Sequence, residues 1–138
     1  MQAYIILGIG FLAFFMAAVF KGLLYLFVGK KKDWLKLSLS NGGMPSLHSA
    51  FMSAVVCSIF FNEGASSTFA LGCAVMLIVF SDAVRVRQNV GLQGFALNKA
   101  LHKLHMHPVK IVLGHTPTQV AAGFLIGFIC AFAFSFMF

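Results

Sequence analysis

Between Ala3 and Val28 the chain carries a single charged side chain, Lys21. Three more runs are as oily: about Ser46 to Phe61, about Thr68 to Val84, and about Thr118 to Phe138, with Asp82 their one charge. A helix that crosses a bilayer needs about 20 apolar residues, with about 17 near the lower limit. Runs of this length and spacing constrain the chain to lipid. The second and third are short, so either the bilayer thins there or their ends lie inside the protein.

Composition agrees. Of 138 residues, 60% are hydrophobic and 9% charged, too few polar groups to clothe a water-soluble domain. The expected fold is all-α: one integral membrane domain of four transmembrane helices plus a cytoplasmic amphipathic helix. Cys57, Cys73 and Cys130 all fall in apolar runs. An odd number in such places reads as packing, not as a disulfide framework. The opening "MQAY" has no positive charge and its run is too long for an h-region, so a secretory signal peptide is not expected.

The net charge of +7 becomes informative once placed along the chain. Lys30, Lys31, Lys32 and Lys36 follow the first run, and Arg85, Arg87, Lys99, Lys103 and Lys110 follow the third. The connector "NEGASS" holds no Lys or Arg. The positive-inside rule puts both basic loops in the cytoplasm and both termini outside, in a cell (inner) membrane. Within the later loop, Leu97, Ala100, Leu101 and Leu104 share one helical face, opposite Asn98, Lys99, His102, Lys103 and His105. That pattern predicts an interfacial helix over about 94–106, attracted to anionic headgroups.

This topology brings four side chains to one boundary: His48 at the start of the second span, Asp82 and Arg85 at the end of the third, and His115 before the fourth. Ionisable groups at membrane depth are costly and mark function by default. "GGMPSLH" and "GHTPTQV" each combine glycine, proline and a hydroxyl residue at a helix start. Proline suits the first helical position, and Thr116 is an N-cap candidate. Free amides at a helix start favour an anion, and Gly42 and Gly43 let the backbone approach it. With Arg85 and Lys21 or Lys36 nearby, the anion that fits is a phosphate.

Plainer readings stand beside this. Asp82 and Arg85, three apart, can simply neutralise each other. Lys21 can snorkel to the interface. His102, His105 and His107 read as wet interfacial residues rather than metal ligands, since no carboxylate or cysteine joins them. No metal or other cofactor is expected.

At "GGMPSLHSA" and "GHTPTQVAAG" the chain resembles the divergent branch of the type-2 phosphatidic acid phosphatase family, related to acid phosphatases and vanadium haloperoxidases. Lys21 in the first span and "SDAVRVR" ending the third extend the likeness over nearly the whole chain. The resemblance implies metal-free hydrolysis of lipid phosphate or diphosphate esters through a phosphohistidine. It implies His115 as nucleophile and His48 as general acid. It implies Arg85 and Lys21 as phosphate ligands, with Lys36 a weaker candidate and Ser46 and the Gly43 backbone helping to cradle the phosphate. Here no arginine directly precedes His115, leucine replaces the glycine of a PSGH motif, and Gln119 stands where the superfamily has a carboxylate. Gln119 can orient the imidazole, and Asp82 can supply the missing negative charge.

The expected function is therefore a membrane lipid-phosphate phosphatase acting on a prenyl or glycerolipid ester at the cytoplasmic side. The alternative is a non-catalytic membrane protein that binds anionic headgroups or a partner complex. Lipids are the expected partners, nucleic acid is not, and a homodimer is compatible with either reading.

Overall fold

A computed structural model describes residues 2–27 and 43–137 of the chain. Lys30, Lys31, Lys32, Lys36 and Gly42 lie outside the described residues. The described residues are all helix, turn and extended linker, with no strand among them. The helices are α1 (Gln2–Phe27), α2 (Leu47–Glu63), α3 (Ser67–Ser81), α4 (Arg87–Lys103) and α5 (Pro117–Phe134). A π-helical turn, Asp82–Val86, joins α3 to α4, and a 3-10 turn, Ser135–Met137, follows α5.

The centre of the bundle is α2, the least oily of the four apolar helices. Its Ser49, Ala50, Ser53 and Ala54 have no exposed surface. They are small, and that lets another backbone come close. The partner is α5, which offers Gly123 and Gly127 four residues apart. A Cβ at Gly123 would run into the Ser46 carbonyl oxygen, and one at Gly127 into Ser53 Oγ and the Ala50 carbonyl. Pairing 46 with 123 and 50 with 127 makes α2 and α5 parallel, so both helices start at the same end. Farther along, Phe61 sits 6.2 Å from Phe128 and 6.0 Å from Phe132, ring to ring.

The other two helices run antiparallel to this pair. On α1, a Cβ at Gly10 would meet Val55 Cγ2 at 2.7 Å, while Phe14 lies edge-on to His48 at 6.4 Å. On α3, Phe69 packs on Phe60 and Phe80 on Phe124. The turn between α2 and α3 is tight. Gly64 takes a positive φ of 68° and returns its N–H to the Phe60 carbonyl, and Ser66 caps α3 by accepting from Phe69 N at 3.1 Å.

Three helices are long and apolar enough to cross a membrane: Gln2–Phe27, the continuous run Ser67–Lys103, and Pro117–Phe134; α2 is apolar but shorter, at 17 residues. The third run differs from the sequence expectation. The separate amphipathic helix expected at 94–106 is the far end of one 37-residue helical run. No proline or capping residue interrupts it, and the π turn carries the hydrogen-bond ladder through. At 1.5 Å per residue the run is about 55 Å long, well beyond a hydrocarbon layer of about 30 Å.

The chain then returns along α4 as an extended strap. Asn98 grips both polar atoms of Val109: its Nδ2 donates to the carbonyl at 2.9 Å and its Oδ1 accepts from the N–H at 2.8 Å. Ile111 lies over Gly94 and Leu113 over Gly91. Gly114 fits against the Ala83 carbonyl and Gln88 N, where a Cβ would come within 2.7 Å of both. The next residue, His115, donates its N–H to Ala83 O at 2.9 Å.

Two outcomes follow from this packing. Gly127→Val must push Ser53 and the α2 backbone aside, and should cost about 1–3 kcal/mol, read as a lower unfolding midpoint in detergent. Asn98→Ala removes both anchors of Val109. Amide exchange over 109–113 should speed up about tenfold, with little change in the spans.

Candidate functional site

The parallel pairing of α2 and α5 brings two helix starts together, and the site lies where they meet. Ser46, fully buried, caps α2: its Oγ accepts from Ser49 N at 3.4 Å and from Ser49 Oγ at 2.9 Å. Its own N–H donates to the Gln119 carbonyl at 3.0 Å, fastening the start of α2 to the first turn of α5. That first turn is closed by a capping box. Thr116 Oγ1 accepts from Gln119 N, and Gln119 Oε1 accepts from Thr116 N at 3.1 Å, with Pro117 at the first position.

His115 is buried and held from three sides. Its N–H goes to the π turn at Ala83, as above. Its Nδ1 lies 3.1 Å from the Gly43 carbonyl oxygen and 3.2 Å from Gln119 Oε1. Both are acceptors, the second because it already receives Thr116 N–H. Nδ1 therefore carries the proton, and the lone pair of the neutral ring is on Nε2. Burial is the main influence on the ring and lowers its pKa below the ordinary imidazole value; the Gln119 hydrogen bond opposes this, and the Lys21 charge adds to it. His115 is thus biased to the neutral form.

Around it is a cavity of about 300 Å³ lined by Ser46, His48, Ile78, Val79, Asp82, Ala83, Arg87 and His115. One wall is polar and basic, the other apolar. Of the residues singled out from sequence, Ser46, His48, Asp82 and His115 line this cavity together. Gln119, Thr116 and Gly43 stand behind His115. Gly43 has φ 80°, and a Cβ there would strike Tyr25 Oη and approach Lys21 Cε to 3.3 Å. Lys21 therefore lies directly behind this backbone. It is fully buried, so it does not snorkel to the interface. Lys36 falls outside the described residues.

The arginine differs from the expectation. Arg85 is exposed and does not form part of the wall; Arg87 does. The reason is the π turn. In an α-helix Asp82 faces residues 85 and 86, and the pairing expected from sequence is Asp82 with Arg85. Here Arg87 N–H bonds to Asp82 O, five residues back. That wider turn brings residue 87 onto the face of residue 82, and Arg87 Nε donates to Asp82 Oδ2 at 2.7 Å. Asp82 is therefore engaged by a guanidinium. The described partners of the His115 ring are neutral.

Arg87 carried no signal that set it apart from Arg85, because helical spacing favours Arg85. The apolar wall of Ile78 and Val79, and Asn98, which holds the strap leading to His115, also escape the sequence. Among the described residues no group of three His, Cys, Asp or Glu could hold a metal ion, His102, His105 and His107 included. Cys57, Cys73 and Cys130 are all free.

The arrangement offers a neutral imidazole with its proton fixed on Nδ1, a second imidazole lining the same small cavity, the Arg87 guanidinium, and Lys21 buried behind the Gly43 backbone. This combination can receive a tetrahedral anion and attack it. The chain is 31% identical over 144 residues to the uncharacterized membrane protein YuiD of Bacillus subtilis (strain 168), covering 91% of this chain and 90% of the relative. No solved structure gives a significant match. The family model described as "Divergent PAP2 family" matches residues 3–130, and the chain belongs to that family.

Proposed function

We propose that the protein is a metal-independent phosphatase of membrane lipids, cleaving a phosphate or diphosphate ester of a prenyl or glycerolipid. The observation that carries this reading is the hydrogen bonding of His115. Nδ1 is committed to Gly43 O and Gln119 Oε1, which leaves Nε2 as a nucleophile. In the first step Nε2 attacks phosphorus and the bond from phosphorus to the lipid oxygen breaks. His48, across the cavity, gives that oxygen its proton. Water then attacks the phosphohistidine, His48 takes the water's proton, and phosphate leaves with His115 restored.

Charge gathers on the phosphoryl oxygens during both steps. Arg87, Lys21 and the amides at the start of α2 stabilise it; a fixed cation in a partly dry site is worth more than in water. Arg85 and Lys36, the other expected ligands, are secondary in this reading. The apolar wall of Ile78 and Val79 supports a lipid tail running out beside α3. The four apolar helices serve as four spans. The basic residues that follow α1 and α3 support an orientation with the site at the cytoplasmic face and both termini outside.

A second reading has its own observation. Gln119 is neutral and Asp82 is engaged by Arg87, so no carboxylate stands directly behind the His115 ring. A protein that binds lipid phosphate without cleaving it would look the same. The two readings part at Gln119→Glu. A catalyst should retain or gain turnover with a carboxylate supporting the imidazolium. If wild type and Gln119→Glu both bind lipid phosphate and release none, the binder reading stands.

Three outcomes test the phosphatase. Purified protein should release phosphate from prenyl and glycerolipid phosphates in the presence of a chelator, and His115→Ala should abolish release; a fully active His115→Ala would overturn the mechanism. Arg87→Ala should lose about 2–4 kcal/mol of transition-state stabilisation, some 30- to 1,000-fold in kcat/KM, while Arg85→Ala stays near wild type. Because burial lowers the His115 pKa, its lone pair stays available as pH falls below the ordinary imidazole value of about 6.5. The acid limb of kcat/KM should therefore lie below that value, and Lys21→Met should move it upward.

A further inference from the structure

We propose that the hairpin formed by α4 and its returning strap is a docking surface for anionic phospholipid, distinct from the cavity around His115. A groove of about 550 Å³ runs between helix and strap, lined by Val90, Gln93, Gly94, Leu97, Val109, Lys110, Ile111 and Val112. Its apolar rim is open: Val90 is 58% exposed and Leu97 48%. On the strap side Val109 and Val112 are each 43% exposed. Isolated surface leucines need no explanation, but Val90, Leu97, Val109 and Val112 exposed around one groove call for a partner.

Charge identifies the partner. From Ala83 to the last residue the chain has no Asp or Glu, while Arg85, Arg87, Lys99, Lys103 and Lys110 are all cationic. Lys110 lies in the groove itself. Arg87 is paired with Asp82, and a second copy brought face to face would set Lys99, Lys103 and Lys110 against their own counterparts, with no acidic residue in the hairpin to answer them. An anionic lipid surface offers the complementary sign and an apolar layer for the rim, as amphipathic membrane-surface elements require. Continuity supports the same partner. The helical run that begins at Ser67 outlasts the hydrocarbon and continues into α4, so the groove emerges near the headgroups. The inference requires the protein to be in a membrane, but not that it hydrolyse anything.

The test uses the whole protein in lipid nanodiscs of phosphatidylcholine, with and without phosphatidylglycerol. Cys57, Cys73 and Cys130 are replaced by alanine, and a nitroxide is attached through Leu97→Cys or, separately, Val109→Cys. A third label through Leu71→Cys, on the exposed face of α3, reports correct insertion. With phosphatidylglycerol present, contact of the 97 and 109 labels with an aqueous nickel chelate should fall several-fold. High salt, or the triple change Lys99→Glu, Lys103→Glu and Lys110→Glu, should restore it. Equal aqueous access in both lipids would overturn the proposal. So would protection that persists in neutral lipid and in detergent, which would mean that protein covers the groove.

Discussion

Everything in this molecule hangs on the near-contact of two backbones, that of α5 at Gly123 and Gly127 with that of α2 from Ser46 to Ala54. In lipid there is no hydrophobic gain from bringing two oily helices together, since tails are as apolar as leucine. Association then depends on close van der Waals approach, which glycine against serine and alanine provides, and on hydrogen bonds such as Ser46 N–H to the Gln119 carbonyl. The pairing is parallel, so it has a consequence: two helix starts, each with a positive dipole end, become neighbours. An antiparallel pair would have separated them by the length of a helix.

The same contact explains the polar character of α2. Its serines do not face lipid. Ser53 Oγ is tied to the Ser49 and Ala50 carbonyls, and Ser49 Oγ to Ser46. The Ser49 and Ser53 hydroxyls are thus satisfied locally, which spares the desolvation cost of an unpaired polar group, whereas the buried Ser58 Oγ has no hydrogen-bond partner among the described residues. Because the helix thereby stays thin, α1, α3 and α5 can all reach it. Its Lys21 neighbour on α1 is buried beside Gly43, whose positive φ and missing side chain leave room for the lysine and Tyr25.

Much of this was legible in the sequence, for a physical reason. Apolar runs follow from hydropathy, and three of the described helices are long and apolar enough to cross a membrane. The capping of α5 was legible because Thr-Pro-Thr-Gln fixes a helix start through purely local bonds. His48 and His115 were found together because alternation of span direction is a topological rule, independent of side-chain detail. What failed was periodicity at the end of the third run. The reading assumed 3.6 residues per turn, and one π turn shifts the facing residue from 85 to 87. Nothing in "DAVRVR" signals that widening, since its cause lies in what packs there: the Gly114 backbone and the His115 N–H both seat on Ala83 and its neighbours. Asn98 was hidden for the same reason. Its partner is eleven residues away on a segment with no regular structure, and its polarity was absorbed into the pattern of an amphipathic helix.

The pairing of Asp82 with Arg87 bears on how the phosphatase reading handles the missing carboxylate. Both side chains are more than a third exposed, so their attraction is worth about 1 kcal/mol or less. That is enough to hold a flexible guanidinium in the cavity wall, but weak compared with what a doubly charged phosphate offers it. An arriving phosphate can therefore draw Arg87 away at little cost, and Asp82 is then left in the cavity without its counter-ion. His48, the proposed proton donor, lines the same cavity. On this reading the carboxylate lost at Gln119 is not replaced at His115. The negative charge stands instead in the cavity that holds the proton donor, and it is uncovered when substrate takes Arg87.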